Sequence, residues 1–289
     1  MLLQPLGIFN ENIQLDILRE DLRHPYVSGN KWWKLKYNLE EAKRLKASAI
    51  VTFGGAYSNH LSATAAAGKE YGIKTIGFVR GEEHEDQNST LNFCKEQGMQ
   101  LHFLSREEYR AKDISRFSFS DAYIIPEGGS NKLGVQGCGE MLSGIGEKYD
   151  FIVCACGTGA TLSGLILSAL PHQKVIGIPV LKGGGFLKDD ILKQLSSFGN
   201  TNKNWELALD YHCGGYGKIN EELVAFIKMT KEKYRLPLDG IYTGKMMMGV
   251  MDLLSKKYFP KHSKVLMIHS GGLQGNEGIK ERFGIDLSK

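Results

Sequence analysis

Two lysines three residues apart are the first candidates for chemistry in this chain. They stand in Ser28-Gly29-Asn30-Lys31-Trp32-Trp33-Lys34, where a Gly-Asn pair opens an amphipathic segment. If that segment is helical, Lys31 and Lys34 share one face. One ammonium can then serve as a reactive amine and the other as counter-charge to a phosphate. Taken alone, the stretch reads as the solvated basic start of a helix. A second candidate is Gly157-Thr158-Gly159-Ala160-Thr161, placed between an apolar run and an apolar helix. Glycines let backbone approach a ligand, and the free N–H groups and dipole of a helix start favour an anion. The plain alternative is a tight turn with Thr158 or Thr161 as N-cap. The run does not complete G-x-G-x-x-G and lacks the Lys-Ser/Thr ending of a P-loop. A phosphate-bearing cofactor other than a dinucleotide or nucleoside triphosphate is the reading that remains.

Three further groups qualify. Ser58 and Asn59, in Gly54-Gly55-Ala56-Tyr57-Ser58-Asn59-His60, suit a substrate carboxylate or a cofactor oxygen, and Ser58 equally suits an N-cap. His60 has no acid close in sequence to orient it and reads as an ordinary helical histidine. Ser270, in Ser270-Gly271-Gly272, could meet a ring nitrogen or cap a helix. Met246, Met247 and Met248 read as helix packing, Trp32 and Trp33 as core or interface aromatics, and Tyr216 and Tyr242 as aromatics packed at Gly-rich turns.

Strands alternating with helices must position these loops. Ala49–Phe53, Lys74–Val79, Leu101–Leu104, Ala122–Ile125, Phe151–Cys156, Val175–Val180, Trp205–Asp210 and Lys264–His269 read as strands. Helical spacing runs from Lys31 to Leu45, then to Tyr71, and over Ser89–Gln97, Val135–Glu147, Asn220–Tyr234 and Lys245–Lys256, with another helix to Leu170. Residues 105–120 read as a helix with a loose loop, 81–87 as a polar loop, Gly183–Gly185 as a hinge or loop, and 236–243 as a turn. The alternation predicts parallel sheets with right-handed crossovers and functional loops at the carboxyl ends of strands.

The bulk numbers bound the class. At 289 residues, 42% hydrophobic and 24% charged, the chain suits one large or two modest soluble domains. Its net charge of +4 comes from interleaved residues with no basic block, which gives no argument for nucleic acid. No apolar stretch reaches the roughly 20 residues of a membrane span. Cys94, Cys138, Cys154, Cys156 and Cys213 show no zinc-site spacing, and Cys154 and Cys156 point to one face if that run is a strand. Reduced, buried thiols and the absence of a signal-peptide pattern after Met1 predict a cytoplasmic protein.

Six motifs in order carry a resemblance. These are Gly29-Asn30-Lys31-x-x-Lys34-Leu35, the loop from Gly54 to Asn59, Gly128-Gly129-Ser130-Asn131, Gly157-Thr158-Gly159-x-Thr161, Tyr242-Thr243-Gly244-Lys245 and His269-Ser270-Gly271-Gly272. As a set they resemble the D-cysteine desulfhydrase and 1-aminocyclopropane-1-carboxylate deaminase family, over about residues 7 to 280. The resemblance implies an α/β protein of the tryptophan-synthase-β-like kind (PLP fold type II): two parallel-sheet domains, the smaller (34–126) inserted in the larger (1–33 and 127–289), with substrate in the cleft between them. It implies pyridoxal 5′-phosphate as cofactor, carried by Lys31, with Lys34 and the backbone of Gly157, Thr158, Gly159, Ala160 and Thr161 on the phosphate. It further implies Asn59 near the cofactor's 3′-oxygen, Ser58 on a small amino-acid substrate, Tyr216 and Tyr242 in the active site, and a homodimer. No metal is implied.

Ring-opening deaminases of this family carry Glu after the second tyrosine and an apolar residue in place of Ser270. Thr243 and Ser270 match the desulfhydrase branch. A carboxylate beside the pyridine nitrogen keeps it protonated. A neutral hydroxyl suits β-elimination, in which a leaving group drains the carbanion. The sequence therefore predicts a lyase acting first on D-cysteine, with the ring-opening deaminase and a non-catalytic amino-acid-binding protein as the alternatives. His60 stands where the family has Gln, Glu127 where an apolar residue is usual, and Cys138 where Tyr is expected.

Overall fold

Period-two burial in a few strands organises the molecule, which a computed structural model describes over residues 2–83, 88–115, 117 and 121–288. In chain order the elements are β1 (Leu3–Phe9), β2 (Ile13–Leu18), α1 (Asn30–Arg44), β3 (Ala49–Gly55), α2 (Asn59–Tyr71), β4 (Lys74–Arg80), α3 (Ser89–Glu96), β5 (Gln100–Leu104), α4 (Arg106–Ala111) and β6 (Ala122–Ile125). There follow α5 (Lys132–Gly139), β7 (Phe151–Cys156), α6 (Ala160–Ser168), β8 (Lys174–Pro179), α7 (Leu187–Ser196), β9 (Trp205–Leu207), α8 (Glu221–Tyr234), α9 (Thr243–Ser255), β10 (Lys264–Ile268) and α10 (Gly275–Phe283).

Six strands form one sheet in the order β1-β2-β10-β7-β8-β9, and four form a second in the order β5-β4-β3-β6. All pairings are parallel except the β1–β2 hairpin at one edge. Alternate residues of β7 serve two cores. Ile152, Cys154 and Cys156 pack with Leu162 and Leu165 of α6, while Val153 and Ala155 pack with Ile227 of α8 and Met246 of α9. A helix layer on each face is what a sheet buried on both sides requires. The smaller sheet is covered likewise: Ile50 and Ile125 meet Leu35 of α1 and Ala63 of α2, and Val51 and Phe78 meet Tyr109 of α4. As expected, Cys154 and Cys156 share one core, and Met246 and Met247 are buried packing. Among the described residues no helix is long and apolar enough to cross a membrane.

Several elements depart from the sequence reading. The helix expected over 135–147 starts at Lys132, where Asn131 Oδ1 accepts the Gly134 N–H at 2.8 Å, and ends at Gly139. Two 3₁₀ turns, Glu140–Leu142 and Gly146–Lys148, follow it. The last strand but one stops at Leu207 instead of Asp210, and α9 begins at Thr243, two residues before Lys245. Neither the β1–β2 hairpin nor α7 and α10 was legible. β1 is a half-exposed edge strand, and β2 buries Asp16 amid its apolar residues, where it accepts the Tyr149 hydroxyl at 2.6 Å. Of residues 105–120, α4 covers Arg106–Ala111; residues 116 and 118–120, with 84–87 of the polar loop, lie outside the described residues.

One close approach joins the two sheets' elements. Gly29 precedes α1 at φ +65°, and a Cβ built on it would lie 2.0 Å from the Ser270 carbonyl oxygen, just past β10. Gly72, at φ +66°, has nothing within 4 Å of its Cβ position. Left-handed backbone alone costs about 1–2 kcal/mol for an L-residue, and overpacking adds about 1–3 kcal/mol. In urea unfolding, Gly72→Ala should lose only the first amount, whereas Gly29→Ala should lose both or fail to fold.

Candidate active site

A cavity of about 490 Å³ opens where the carboxyl ends of β3, β4, β7 and β10 converge. The first turn of α1 enters it from one side. Lys31 and Lys34 both line the wall, as their three-residue spacing on a helix requires. Lys31 Nζ donates to Asn30 Oδ1 at 2.7 Å, and Asn30 Nδ2 donates to Thr161 Oγ1 at 2.8 Å, so the amine is tied to the glycine-threonine loop. Lys34 is 3% exposed, and its Nζ donates to the Gly128 carbonyl at 2.9 Å. Burial, with the like charge of Lys34 beside it, brings the Lys31 amine down to about 7. Burial lowers Lys34 as well.

Across from the lysines lies the loop after β7. Gly157, Thr158, Gly159 and Thr161 stand in the wall; Ala160 opens α6 and does not. Gly159, at φ +79°, takes the N-cap position with no side-chain cap, so neither Thr158 nor Thr161 serves as one. The first N–H groups of α6 have no intrahelical acceptor. A built Cβ on Gly157 would sit 3.2 Å from the Tyr242 ring, so that ring lies directly over the loop. A buried ammonium met by a carbonyl and no carboxylate, facing a bare helix N-terminus, is an anion-binding arrangement. The phosphate of pyridoxal phosphate fits it.

Ser58 and Asn59 also stand in the wall. Ser58 Oγ accepts the N–H groups of His60 and Leu61 at 3.2 and 3.3 Å, so it caps α2 while facing the cavity. Asn59 Oδ1 accepts from Gln274 Nε2 at 2.7 Å. Ser270 lines the wall, and its carbonyl accepts the Asn30 N–H at 3.1 Å. Tyr242 and Tyr216 complete it edge to face, ring centres 6.1 Å apart and hydroxyls 3.5 Å apart. Burial raises the Tyr242 phenol well above its ordinary value, so it stays protonated. Lys245 of the same motif is buried and donates to the Gly215 carbonyl at 2.8 Å, which holds the turn bearing Tyr216.

Thr243 is not brought to the cavity. Its hydroxyl donates to Asp239 Oδ2 at 2.6 Å, and it is fully buried. Asp239 also accepts the N–H groups of Ile241, Tyr242 and Thr243, at 2.8, 2.7 and 2.9 Å, and so fixes the Tyr242 backbone. Sequence reasoning passed over it, although Asp followed by Gly240 is a turn signal and an Asp side chain commonly bonds the backbone two residues on.

His60 was read as ordinary, yet it lines the cavity at 2% exposure. Thr52 gives its hydroxyl proton to the Ile125 carbonyl at 2.8 Å, so His60 Nε2, 2.9 Å from Thr52 Oγ1, is the donor of that pair. Nδ1 is left without a partner, and burial with two nearby lysines keeps the ring neutral. Arg80 and Arg282, neither singled out in the sequence, border the same cavity, as does Glu127, noted there only as a departure from the family pattern.

Residues 3–271 match the pyridoxal-phosphate-dependent enzyme family, and the chain belongs to it. It is 33% identical to a putative 1-aminocyclopropane-1-carboxylate deaminase of Pyrococcus furiosus, with 90% of this chain and 84% of that protein covered. It is 30% identical to the bifunctional mitochondrial D-cysteine desulfhydrase/1-aminocyclopropane-1-carboxylate deaminase of Arabidopsis thaliana, with 91% and 73% covered. The solved structure of an ACC deaminase homologue superposes with a TM-score of 0.82 at 29% identity, covering 97% of this chain and 91% of that one.

The Lys31 amine is the nucleophilic form only when neutral. Capture of pyridoxal phosphate by cofactor-free protein should therefore rise through about pH 7 and level off above it. An ordinary lysine, with a pKa of roughly 10.4, would keep gaining far beyond that. Following the visible band at each pH measures this, and Lys34→Met should move the midpoint upward by removing the like charge.

Proposed function

We propose that the protein is a pyridoxal-phosphate-dependent lyase that eliminates the β-substituent of a small amino acid, with D-cysteine the first substrate to try. One observation carries the reading: buried Lys34, half-buried Lys31 and the bare N-terminus of α6 meet in a cavity whose wall also holds a protonated tyrosine. Lys34 and the backbone of residues 157–161 would hold the phosphate, Lys31 would carry the cofactor, and Asn59 would face its 3′-oxygen. When bound, the cofactor supplies an electron sink for the carbanion at Cα.

The protein's own groups do the rest. Ser58 and Asn59 orient the substrate carboxylate. Lys31 Nζ, neutral near pH 7, accepts the α-proton. As the Cβ–S bond breaks, Tyr242 Oη donates to the departing sulfur, with Tyr216 at 3.5 Å to relay a replacement proton. D-cysteine and water thus yield pyruvate, ammonia and hydrogen sulfide. Ser270 is the neutral hydroxyl assigned to the ring nitrogen. Thr243, bound to Asp239, acts instead by holding the Tyr242 turn. The names of the Pyrococcus and Arabidopsis relatives support a second reading, ring opening of 1-aminocyclopropane-1-carboxylate to 2-oxobutyrate. By resemblance we also assign a domain division at residues 34–126, a homodimer and a cytoplasmic location.

Purified protein loaded with cofactor should show a visible band that Lys31→Ala abolishes, and should release pyruvate and sulfide from D-cysteine. Lys31→Ala should lower that release by on the order of 10²–10⁴-fold or more. Wild type without the band defeats the cofactor assignment. Release of 2-oxobutyrate from the cyclopropane substrate with no pyruvate from D-cysteine selects the second reading. No keto acid from any D- or L-amino acid would make the protein a binding member of its fold.

A further inference from the structure

A second cavity, of about 540 Å³, adjoins the first, and Arg80 and Glu127 belong to both walls. Arg106, Tyr109, Arg110 and Lys112 complete it, so four of its six wall residues are cationic. Arg106 and Arg110 stand one turn apart on α4, on a common face. All four cations are exposed, so water and salt screen their mutual repulsion and each stays within reach of an anion entering the cavity. Within the cluster only one pair is closed: Lys112 Nζ lies 3.0 Å from Glu127 Oε2. Among the described residues no carboxylate lies within ion-pair distance of Arg80, Arg106 or Arg110. Tyr109 partly offsets the crowding, with Lys112 Nζ 3.3 Å and the Arg80 guanidinium 5.7 Å from its ring centre.

Tyr109 supplies a second, independent observation. It is 4% exposed, and its hydroxyl is buried with no hydrogen bond, its acidic neighbour Glu127 being engaged by Lys112. Burial and the Glu127 carboxylate beside it hold the phenol protonated, so a donor stands in the wall whose acidic neighbour is already shared with Lys112. In the first cavity the cofactor phosphate takes Lys34 and the α6 N-terminus, and a substrate carboxylate takes Ser58 and Asn59. Arg80, at the junction, is left with no anion.

We infer that the natural substrate is a β-substituted alanine whose leaving group ends in an anion, a carboxylate, sulfonate or phosphate, seated in the second cavity against Arg80, Arg106, Arg110 and the Tyr109 hydroxyl. This rests on the lyase reading of the first cavity, and D-cysteine is then a minimal substrate without the tail. The elimination balances as before: the Cα–H and Cβ–X bonds break, and X leaves with one proton, its anionic end unchanged.

The test compares S-carboxymethyl- and S-carboxypropyl-cysteine, in both configurations, with their carboxamide isosteres on the cofactor-loaded protein. In wild type at least one acid should exceed its amide in kcat/KM by about fivefold or more, the scale of an exposed ion pair. Arg106→Gln/Arg110→Gln should bring that ratio toward one, and Arg106→Lys/Arg110→Lys should restore much of it. Calorimetric titration of the loaded protein with inorganic phosphate gives a readout without turnover: saturable binding in wild type, weakened several-fold by the double Gln variant and by Tyr109→Phe. Pyruvate from acids and amides alike, with a ratio the variants do not move, overturns the inference and leaves the lyase reading standing. No keto acid from any compound, with phosphate binding that the variants abolish, removes the lyase reading and supports the second cavity as an anion site.

Discussion

The meeting of Gly29 with Ser270 is the contact on which the active site depends. α1 packs through Leu35, Leu39 and Ala42 on the four-stranded sheet, with Ile50 and Ile125. Its first turn nevertheless starts at the carboxyl end of β10, in the other sheet, where the Asn30 N–H donates to the Ser270 carbonyl and the Gly29 N–H to the Glu20 carbonyl, both at 3.1 Å. That proximity exists because position 29 has no Cβ and adopts a positive φ. The partner turn obeys the same constraint: a Cβ on Gly271, at φ +79°, would lie 2.9 Å from Ser28 Oγ. Two glycine turns interlock, and the Lys31 amine is thereby carried from one sheet's helix into the other sheet's loops.

The electrostatics follow from that placement. Lys31 and Lys34 are held in one cavity wall, and neither has a carboxylate partner: one donates to an amide oxygen and the other to a backbone carbonyl. Removing two ammonium groups from water without an anion is unfavourable, and lowered proton affinity is the usual relief. A bound phosphate offers the other relief. Ligand binding to the folded state alone therefore stabilises it by mass action.

Much of this was legible in the residues. The apolar run of β7 and the 3.6-residue spacing after Lys31 are strong local signals, and they located the glycine-threonine loop and the lysine face. The hydroxyls proved harder. Ser58 was read both as cap and as site residue; it caps α2 and also lines the cavity, because that helix N-terminus opens onto the cavity wall. Thr243 was assigned to the cofactor ring, but the buried carboxylate of Asp239, four residues earlier, claims its hydroxyl. His60 looked idle because the group that orients it, Thr52, is a strand residue whose side chain meets it only after β3 and α2 fold back on each other. The edge hairpin, α7 and α10 escaped for a different reason. Their burial comes from neighbours remote in sequence and leaves little periodicity of its own.

The pairing of β2 with β10 has a consequence for how the molecule assembles. The four-stranded sheet is built from one contiguous segment, β3 to β6. The six-stranded sheet joins Leu15 to Val265, so its β2–β10 pairing closes a loop that holds nearly the whole chain. Loop-closure entropy grows with length, and contacts of high sequence separation are the slow ones. The Gly29–Ser270 contact lies at the end of that same pair of strands, and it forms only when they meet. The Lys31 amine reaches the 157–161 loop through the longest-range pairing in the sheet, and a chain stalled before that closure retains a complete small sheet but not the cavity between the two sheets.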